Sequence, residues 1–348
     1  MVGLQYHNKE VNMKNSNHWF IDAKYGLIIH FGLYSLLGGE YKNYKMQSYC
    51  EWIQSYARIP ICEYEKLLKI FNPTYFNAEE IVKFAKMHGF KYIIFTAKHH
   101  DGFCMFNSKY DDYNISNTPY KKDIVKQLSD MCKKYQVKFG LYYSQDLDWH
   151  EKNGGGYNCE NIDCAGTSWC NDWDFKNCDK DYSDYFNSKV LFQIKELCQN
   201  YGKIDLFWFD TPKSISPQQS QQLYDLVKSF HPDCLINSRL GNGCYDYVTL
   251  GDNEIPDNLT YKTSKDFNDL NGIKYSKDSL YESACSLNNT WGYSKFDTNY
   301  KSLREIKKVK DKLNKLGINY TINISPDSTG KIPQQSLDIL SELNTNNL

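Results

Sequence analysis

The stretch "NAEEIVKFAKMHGFKYIIFTAKHHDGF", residues 77–103, decides the architecture. Asn77 stands at an N-cap position with Glu80 three residues on, and Ile81, Phe84 and Ala85 recur at helical spacing before Gly89 supplies a stop. The apolar run "KYIIFTAK" follows at once. It is too continuous for a strand with one wet face and fits a strand covered on both. The run ends abruptly in His99, His100 and Asp101. The question is whether those residues bind something or merely cap a turn.

The same unit recurs along the chain. "DIVKQLSDMCKKYQ" puts Ile124, Leu128 and Met131 on one helix face and leads into "VKFGLYYS". "YSDYFNSKVLFQIKELCQNYG" leads into "IDLFWFD", and "SPQQSQQLYDLVKSF", with Ser216 as cap and Pro217 at the first helical position, leads into "DCLINSR". "KSLREIKKVKDKLNKLG" precedes "INYTINISP". Helix and strand alternating over 348 residues predict a parallel sheet in an α/β fold. No phosphate-cradling glycine motif follows the first strand, "GLIIHFG". That favours a single (β/α)8 barrel of the TIM type over a doubly wound nucleotide-binding sheet.

In a barrel, the C-terminal strand ends converge on one rim, where sites are built. Here those ends carry His30, then His99, His100 and Asp101, then Gln145 and Asp146 with Trp149 beyond, then Asp210, then Ser238 and Arg239. Five polar ends on one rim are hard to read as capping. Asp210 leaves the apolar wall Leu206–Phe209, and cations and donors across the rim would hold it ionised, as a carboxylate nucleophile requires. A second carboxyl group would serve as acid and base, and Glu254 in "LGDNEIP" and Glu282 in "LYESACSLNNTWGY" are the candidates. A metal site is the competing reading. Against it, His99 and His100 are adjacent on an extended strand, so their side chains should leave opposite faces, and no H-x-H or H-E-x-x-H spacing occurs.

Composition narrows the partners. Lys plus Arg number 41 against 42 for Asp plus Glu, which gives no basic field for nucleic acid. No apolar run is long enough to span a membrane. The N-terminus lacks the pattern of a signal peptide, so the expected location is cytoplasmic, or secreted or lysosome-like if a leader was removed. The 29 Tyr and 7 Trp suit an aromatic core or the stacking of rings on sugars. Of twelve Cys, Cys132, Cys198 and Cys234 read as small core residues. Cys159, Cys164, Cys170 and Cys178 cluster without paired C-x-x-C knuckles, and free thiols, two disulfides or a zinc clip all fit.

Together these motifs resemble the α-L-fucosidases of glycoside hydrolase family twenty-nine. The resemblance runs from about residue 18 to 335, in the family's order, through "WFIDAKYGLIIHFGLYS" (with "HFG" where "HWG" is usual), "EWI", "YIIFTAKHHDGFCMFNSKYDDYNI", "KFGLYYS", "GKIDLFWFDTP", "INSR", "GDNEIP", "NTWGY" and "NYTINISPDSTGKIP". It implies an irregular (β/α)8-like barrel, no metal and no cofactor, and a fucosylated glycan as partner. It implies Asp210 as nucleophile of a retaining hydrolase, with Glu254 or Glu282 as acid/base. His30, Glu51, His99, His100 and Arg239 would bond the fucose hydroxyls, Tyr142 would sit at the reacting centre, and Trp52, Trp208 and Trp291 would pack on the sugar. Residues 1–17 are expected to be an extension and 150–182 a Cys-rich insertion over the active face, with no C-terminal β-sandwich. An inactive fucose-binding protein and a metal-dependent sugar hydrolase or isomerase are the alternatives.

Overall fold

A computed structural model describes residues 19–156, 169–176, 179–259 and 279–343. Eight parallel strands form one sheet. They are β1 (Tyr25–Ile29), β2 (Tyr92–Lys98), β3 (Lys138–Tyr143), β4 (Leu206–Phe209), β5 (Leu235–Ile236), β6 (Tyr247–Thr249), β7 (Leu280–Ser286) and β8 (Ile318–Ile324). β1 pairs with both β2 and β8, and the sheet runs in chain order to β5 on one side and back to β6 on the other. The two edges meet through a parallel bridge between Asn237 and Tyr247. The Asp246 carboxylate reinforces that seam by accepting the Ile236 N–H at 2.9 Å. A nearly closed barrel results, as the alternation of helix and strand predicts.

The helices begin where the caps place them. The Asn77 side chain accepts the Glu80 N–H to start α1 (Ala78–Met87), and Asp123 caps α2 (Ile124–Tyr135) in the same way. Helical residues run from Tyr182 to Asn200, with a π turn over Phe186–Val190 and α3 as Leu191–Asn200. Ser216 and Gln219 close a capping box on α4 (Pro217–Phe230), as Ser302 and Glu305 do on α5 (Leu303–Lys315). Phe84 and Met131 are only partly buried, and Val82, Val125 and Cys132 fill those faces instead. Between β5 and β6 a single turn, Ser238–Leu240, replaces a helix, so the barrel is irregular.

Strand residues are buried on both sides. Leu27, Ile29, Ile93, Phe95, Leu141, Phe207 and Phe209 face the helices, while Ile28, Tyr92, Ile94, Tyr142, Trp208, Tyr247 and Ala284 fill the lumen. Phe20, in the short helix Trp19–Ala23, plugs the N-terminal end against Tyr92 and Tyr247. Cys132, Cys198 and Cys234 are buried thiols, as read, and Cys170 is a buried thiol too. Cys159, Cys164, Cys178, the rest of 157–168 and 177–178 within the expected insertion, and the whole expected extension lie outside the described residues. Among the described residues no helix is long and apolar enough to cross a membrane.

Gly26 lets the lumen close. A Cβ there would stand 2.0 Å from the Tyr92 ring on the neighbouring strand. Gly26→Ala should therefore lower unfolding stability by about 1–3 kcal/mol in urea titrations, through displacement of a ring with nowhere to go.

Candidate active site

Every strand delivers a side chain to the C-terminal mouth or the lumen just beneath it. β1 is followed by His30, β2 by His99 and His100, β4 by Asp210, β5 by Arg239, β6 by Asp252 and β7 by Trp291, while β3 supplies Tyr142 and β8 supplies Asn323. On β4 the two-residue period puts Leu206 and Trp208 in the lumen, and Asp210 continues that inward row. Two buried amides fix the end of this strand. Gln145 accepts the Asp210 N–H at 2.8 Å and donates to the Arg239 carbonyl, and Asn237 pairs with both backbone groups of Phe209.

Arg239 joins two carboxylates. Its Nη1 donates to Asp210 Oδ1 at 3.0 Å and its Nη2 to Asp252 Oδ1 at 2.6 Å and to the Leu250 carbonyl. Asp210 Oδ1 also accepts the Thr211 N–H, while among the described residues Oδ2 accepts only the Tyr142 hydroxyl, at 2.8 Å. His100 Nε2 stands 3.7 Å from Oδ2, beyond bonding distance. One oxygen of Asp210 is thus held twice, and the other is the less engaged. The Asp210 side chain is 11% exposed, whereas that of Asp252 is 35% exposed, at the outer edge of the mouth.

Beneath this pair lies an aromatic floor. The Arg239 guanidinium sits 4.7 Å above the Trp208 ring, and Tyr142 stacks on that same ring at 5.2 Å. Trp208 is itself pinned by Glu282, whose Oε1 accepts the indole N–H at 2.7 Å and the Thr249 hydroxyl at 3.2 Å. Oε2 accepts the Thr321 hydroxyl. Glu282 is wholly buried in the lumen, and burial pushes its pKa up against the pull of these donors. Its carboxylate orients the floor from below.

The three histidines are neutral. Burial lowers His30 to about 4 and drives His99 and His100 well below the ordinary imidazole range. The cation that faces Asp210 is therefore Arg239. The sequence expectation that His99 and His100 point apart fails, because the register of β2 slips between Thr96 and Lys98 and the chain turns at once. The two rings end 4.1 Å apart on one wall. His100 Nδ1 bonds Ser144 Oγ, which itself donates to the Leu147 carbonyl, so Nδ1 carries the proton and Nε2 is an acceptor. His30 is fixed likewise by Asn323 Oδ1, which leaves its Nε2 as an acceptor too.

Glu51 lies buried in the loop between β1 and β2, and burial raises its carboxyl to about 7. Oε2 accepts the Gly292 N–H at 2.7 Å, a close approach that a Cβ at Gly292 would block at 2.9 Å from the Glu51 nitrogen. Among the described residues, Glu51 Oε1, His99 Nδ1 and the Tyr34 hydroxyl are buried with no hydrogen-bond partner. The Tyr34 ring is 5.5 Å from that of His99. Buried polar atoms are rarely left this way unless a ligand completes them. Trp291 flanks His30 at 5.4 Å, and Trp52 packs on His100, Trp149 and Trp169.

Thus His30, His99, His100, Tyr142, Trp208, Asp210, Arg239 and Trp291 converge, with Trp52 packed on His100, while Glu51 joins the wall through Gly292, next to Trp291. Glu254 turns back on its own loop, where Oε2 accepts the Gly251 N–H at 2.8 Å. Asp252 and Asn323 are the members that sequence reading does not single out, whereas Gln145 is read there as one of the polar strand ends. Only the polar triplet "GDN" before Glu254 signals Asp252. Among the described residues, no three His, Cys, Asp or Glu converge as a metal site would require.

Paired carboxylates on one arginine, floored by indole and walled by neutral imidazoles, are the features of a barrel glycoside hydrolase pocket. A family model for alpha-L-fucosidase matches residues 3–345, and the chain belongs to that family. The alpha-L-fucosidase AlfC from Lactobacillus casei, in complex with α-L-fucose product, is 47% identical, with a TM-score of 0.85 over 94% of this chain and 96% of that one. An aspartate-to-alanine variant of AlfC has been solved with Fuca(1,6)GlcNAc, at 46% identity and a TM-score of 0.84. Alpha-L-fucosidase 1 of Arabidopsis thaliana is 28% identical over 78% of this chain, and the chain spans about half of its length (52%).

Replacing Glu282 by Ala should strip the acceptor from a buried indole N–H and two hydroxyls. The variant should lose roughly 2–5 kcal/mol of stability by chemical denaturation, with Glu282→Gln retaining most of it.

Proposed function

We propose that this protein hydrolyses terminal α-L-fucosides with retention of anomeric configuration. The observation that carries the reading is the bridge Asp210–Arg239–Asp252. One guanidinium holds two carboxylates at the mouth, one buried and aimed from the floor, the other half-open at the edge. Buried Asp210 is the nucleophile. Its Oδ2, which accepts the Tyr142 hydroxyl, attacks the anomeric carbon, and Arg239 and the Thr211 N–H steady Oδ1. Asp252 is the acid/base. It takes up a proton from solvent at the open edge as its contact with Arg239 breaks, gives that proton to the departing glycosidic oxygen, and later takes one back from the water that frees fucose.

The remaining wall suits a neutral polyol. His30 and His100 present acceptor nitrogens, Glu51 and His99 offer unpaired polar atoms, and Trp52, Trp208 and Trp291 provide apolar faces for the sugar ring and its methyl group. Similarity to AlfC, which has been solved with Fuca(1,6)GlcNAc, supports fucose attached to N-acetylglucosamine as the substrate class.

Hydrolysis of 4-nitrophenyl α-L-fucopyranoside tests this reading. Asp210→Ala should reduce kcat by more than about a thousandfold while the far-UV circular dichroism is unchanged. Activity within tenfold of wild type would end the assignment. Azide should restore turnover of an activated aryl fucoside to Asp252→Gly and not to Glu254→Gly or Glu282→Gly. Rescue of Glu254→Gly instead would move the acid/base role there. Ionised Glu51 accepts hydroxyls better than the neutral acid, so kcat/KM should rise with pH through about 7. Glu51→Gln should flatten that limb in a pH–rate profile.

A further inference from the structure

Asp146 is a rim carboxylate that the fucose pocket does not use. It follows Gln145 beyond the end of β3 and is wholly buried. What its charge meets is backbone. Oδ2 accepts the N–H groups of Lys213 at 2.9 Å, Ser214 at 2.6 Å and Ile215 at 2.9 Å. Three successive amides turned onto one oxygen form a cradle for an anion, and each bond is strengthened by the carboxylate charge. Oδ1 has no hydrogen-bond partner among the described residues. It is walled in by Gly155, where a Cβ would stand 1.9 Å away. Gly155 in turn donates its N–H to the Asp146 carbonyl at 2.8 Å.

The amides that Asp146 gathers belong to the chain leaving Asp210, and that chain starts under strain. Thr211 has φ 54°. A β-branched residue is a genuine outlier at positive φ, and Pro212 restricts the residue before it further. The buried Thr211 hydroxyl has no partner among the described residues, so no side-chain bond offsets the strain. The Thr211 carbonyl accepts the Lys213 N–H at 2.9 Å, which closes a three-residue turn. Pro212 presses on Gly241, where a Cβ would stand 2.7 Å from the proline Cβ. Such a backbone persists only where its surroundings over-determine it.

The strained turn has a use. It brings the Thr211 N–H back to Asp210 Oδ1 at 3.0 Å, onto the oxygen that Arg239 also holds. Two neighbouring side chains thus straddle Asp210. Gln145 accepts the N–H that enters it, and Asp146 holds the turn that leaves it.

We propose that Asp146 is a positioning residue for the nucleophile. Its carboxylate holds the turn over Thr211–Ile215 in the shape that fixes Asp210 Oδ1 and leaves Oδ2 aimed at the anomeric carbon. Asp146 touches neither the sugar nor the reacting atoms and acts through Thr211. This inference rests on the fucosidase reading and adds to it a residue outside the pocket wall.

The test separates turnover from sugar binding. It reads kcat on 4-nitrophenyl α-L-fucopyranoside beside the inhibition constant of free fucose, which the histidine wall and Glu51 set. Asp146→Asn should lower kcat about tenfold and Asp146→Ala about a hundredfold, the effect of a misplaced nucleophile. The inhibition constant of fucose should change less than about twofold in both. Thr211→Gly, added to the slower variant that folds, should raise its kcat at least about fivefold, because glycine takes a positive φ without being held there. A kcat within about threefold of wild type in every variant that folds, a parallel loss of fucose binding, or no rescue by Thr211→Gly overturns the proposal. If wild type hydrolyses no fucoside, the fucosidase reading has failed, and hydrogen–deuterium exchange reads the turn without turnover. The peptide spanning Thr211–Ile215 should then exchange about tenfold faster in Asp146→Asn than in wild type, with β2 unchanged. Equal rates in that peptide overturn the proposal.

Discussion

Arg239 is buried to within 3% of its side-chain surface, so its charge has to be met where it stands. Desolvating a guanidinium is costly unless its donors find partners. Asp210, Asp252 and the Leu250 carbonyl take donors from its terminal nitrogens, and the face of Trp208 takes the remaining field. Each partner is then fixed in turn. Asp210 is held by Tyr142, Thr211 and Gln145, and Trp208 by Glu282. The need to satisfy one buried cation organises the site down to the middle of the lumen.

Away from that pair the pocket carries little charge. Three imidazoles are neutral because they are buried, and Glu51 is poised near neutrality for the same reason. Such a wall recognises hydroxyls by direction rather than by charge. Among the described residues that line the pocket, the paired charges are those on Arg239, Asp210 and Asp252, where charge would develop during glycosyl transfer. A fucose ring, neutral with an apolar methyl group, matches that division of labour.

Much of this was legible in the sequence. The continuous apolar runs and the caps at Asn77, Asp123, Ser216 and Ser302 are local signals, and local hydrogen bonds realise them. Asp210 was legible because an apolar wall ends in a lone carboxylate. What escaped depended on contacts distant in the chain. Glu282 looks like a rim carboxylate until β7 is seen to hold it beside Thr249, Thr321 and Trp208 in the lumen. Asp252 looks like any loop aspartate until Arg239 reaches it. The paired histidines obeyed strand alternation only up to the slip at Lys98, and a register slip leaves no mark in composition.

The measurement closest to the centre of this account is mass spectrometry of the protein quenched with 2-deoxy-2-fluoro-L-fucosyl fluoride, a substrate that forms a glycosyl-enzyme faster than water removes it. A covalent fluorofucosyl adduct on the peptide ending in "DLFWFDTPK", mapped to Asp210, is the predicted result. An adduct on another residue, or none while the reagent is hydrolysed with inversion, would contradict it.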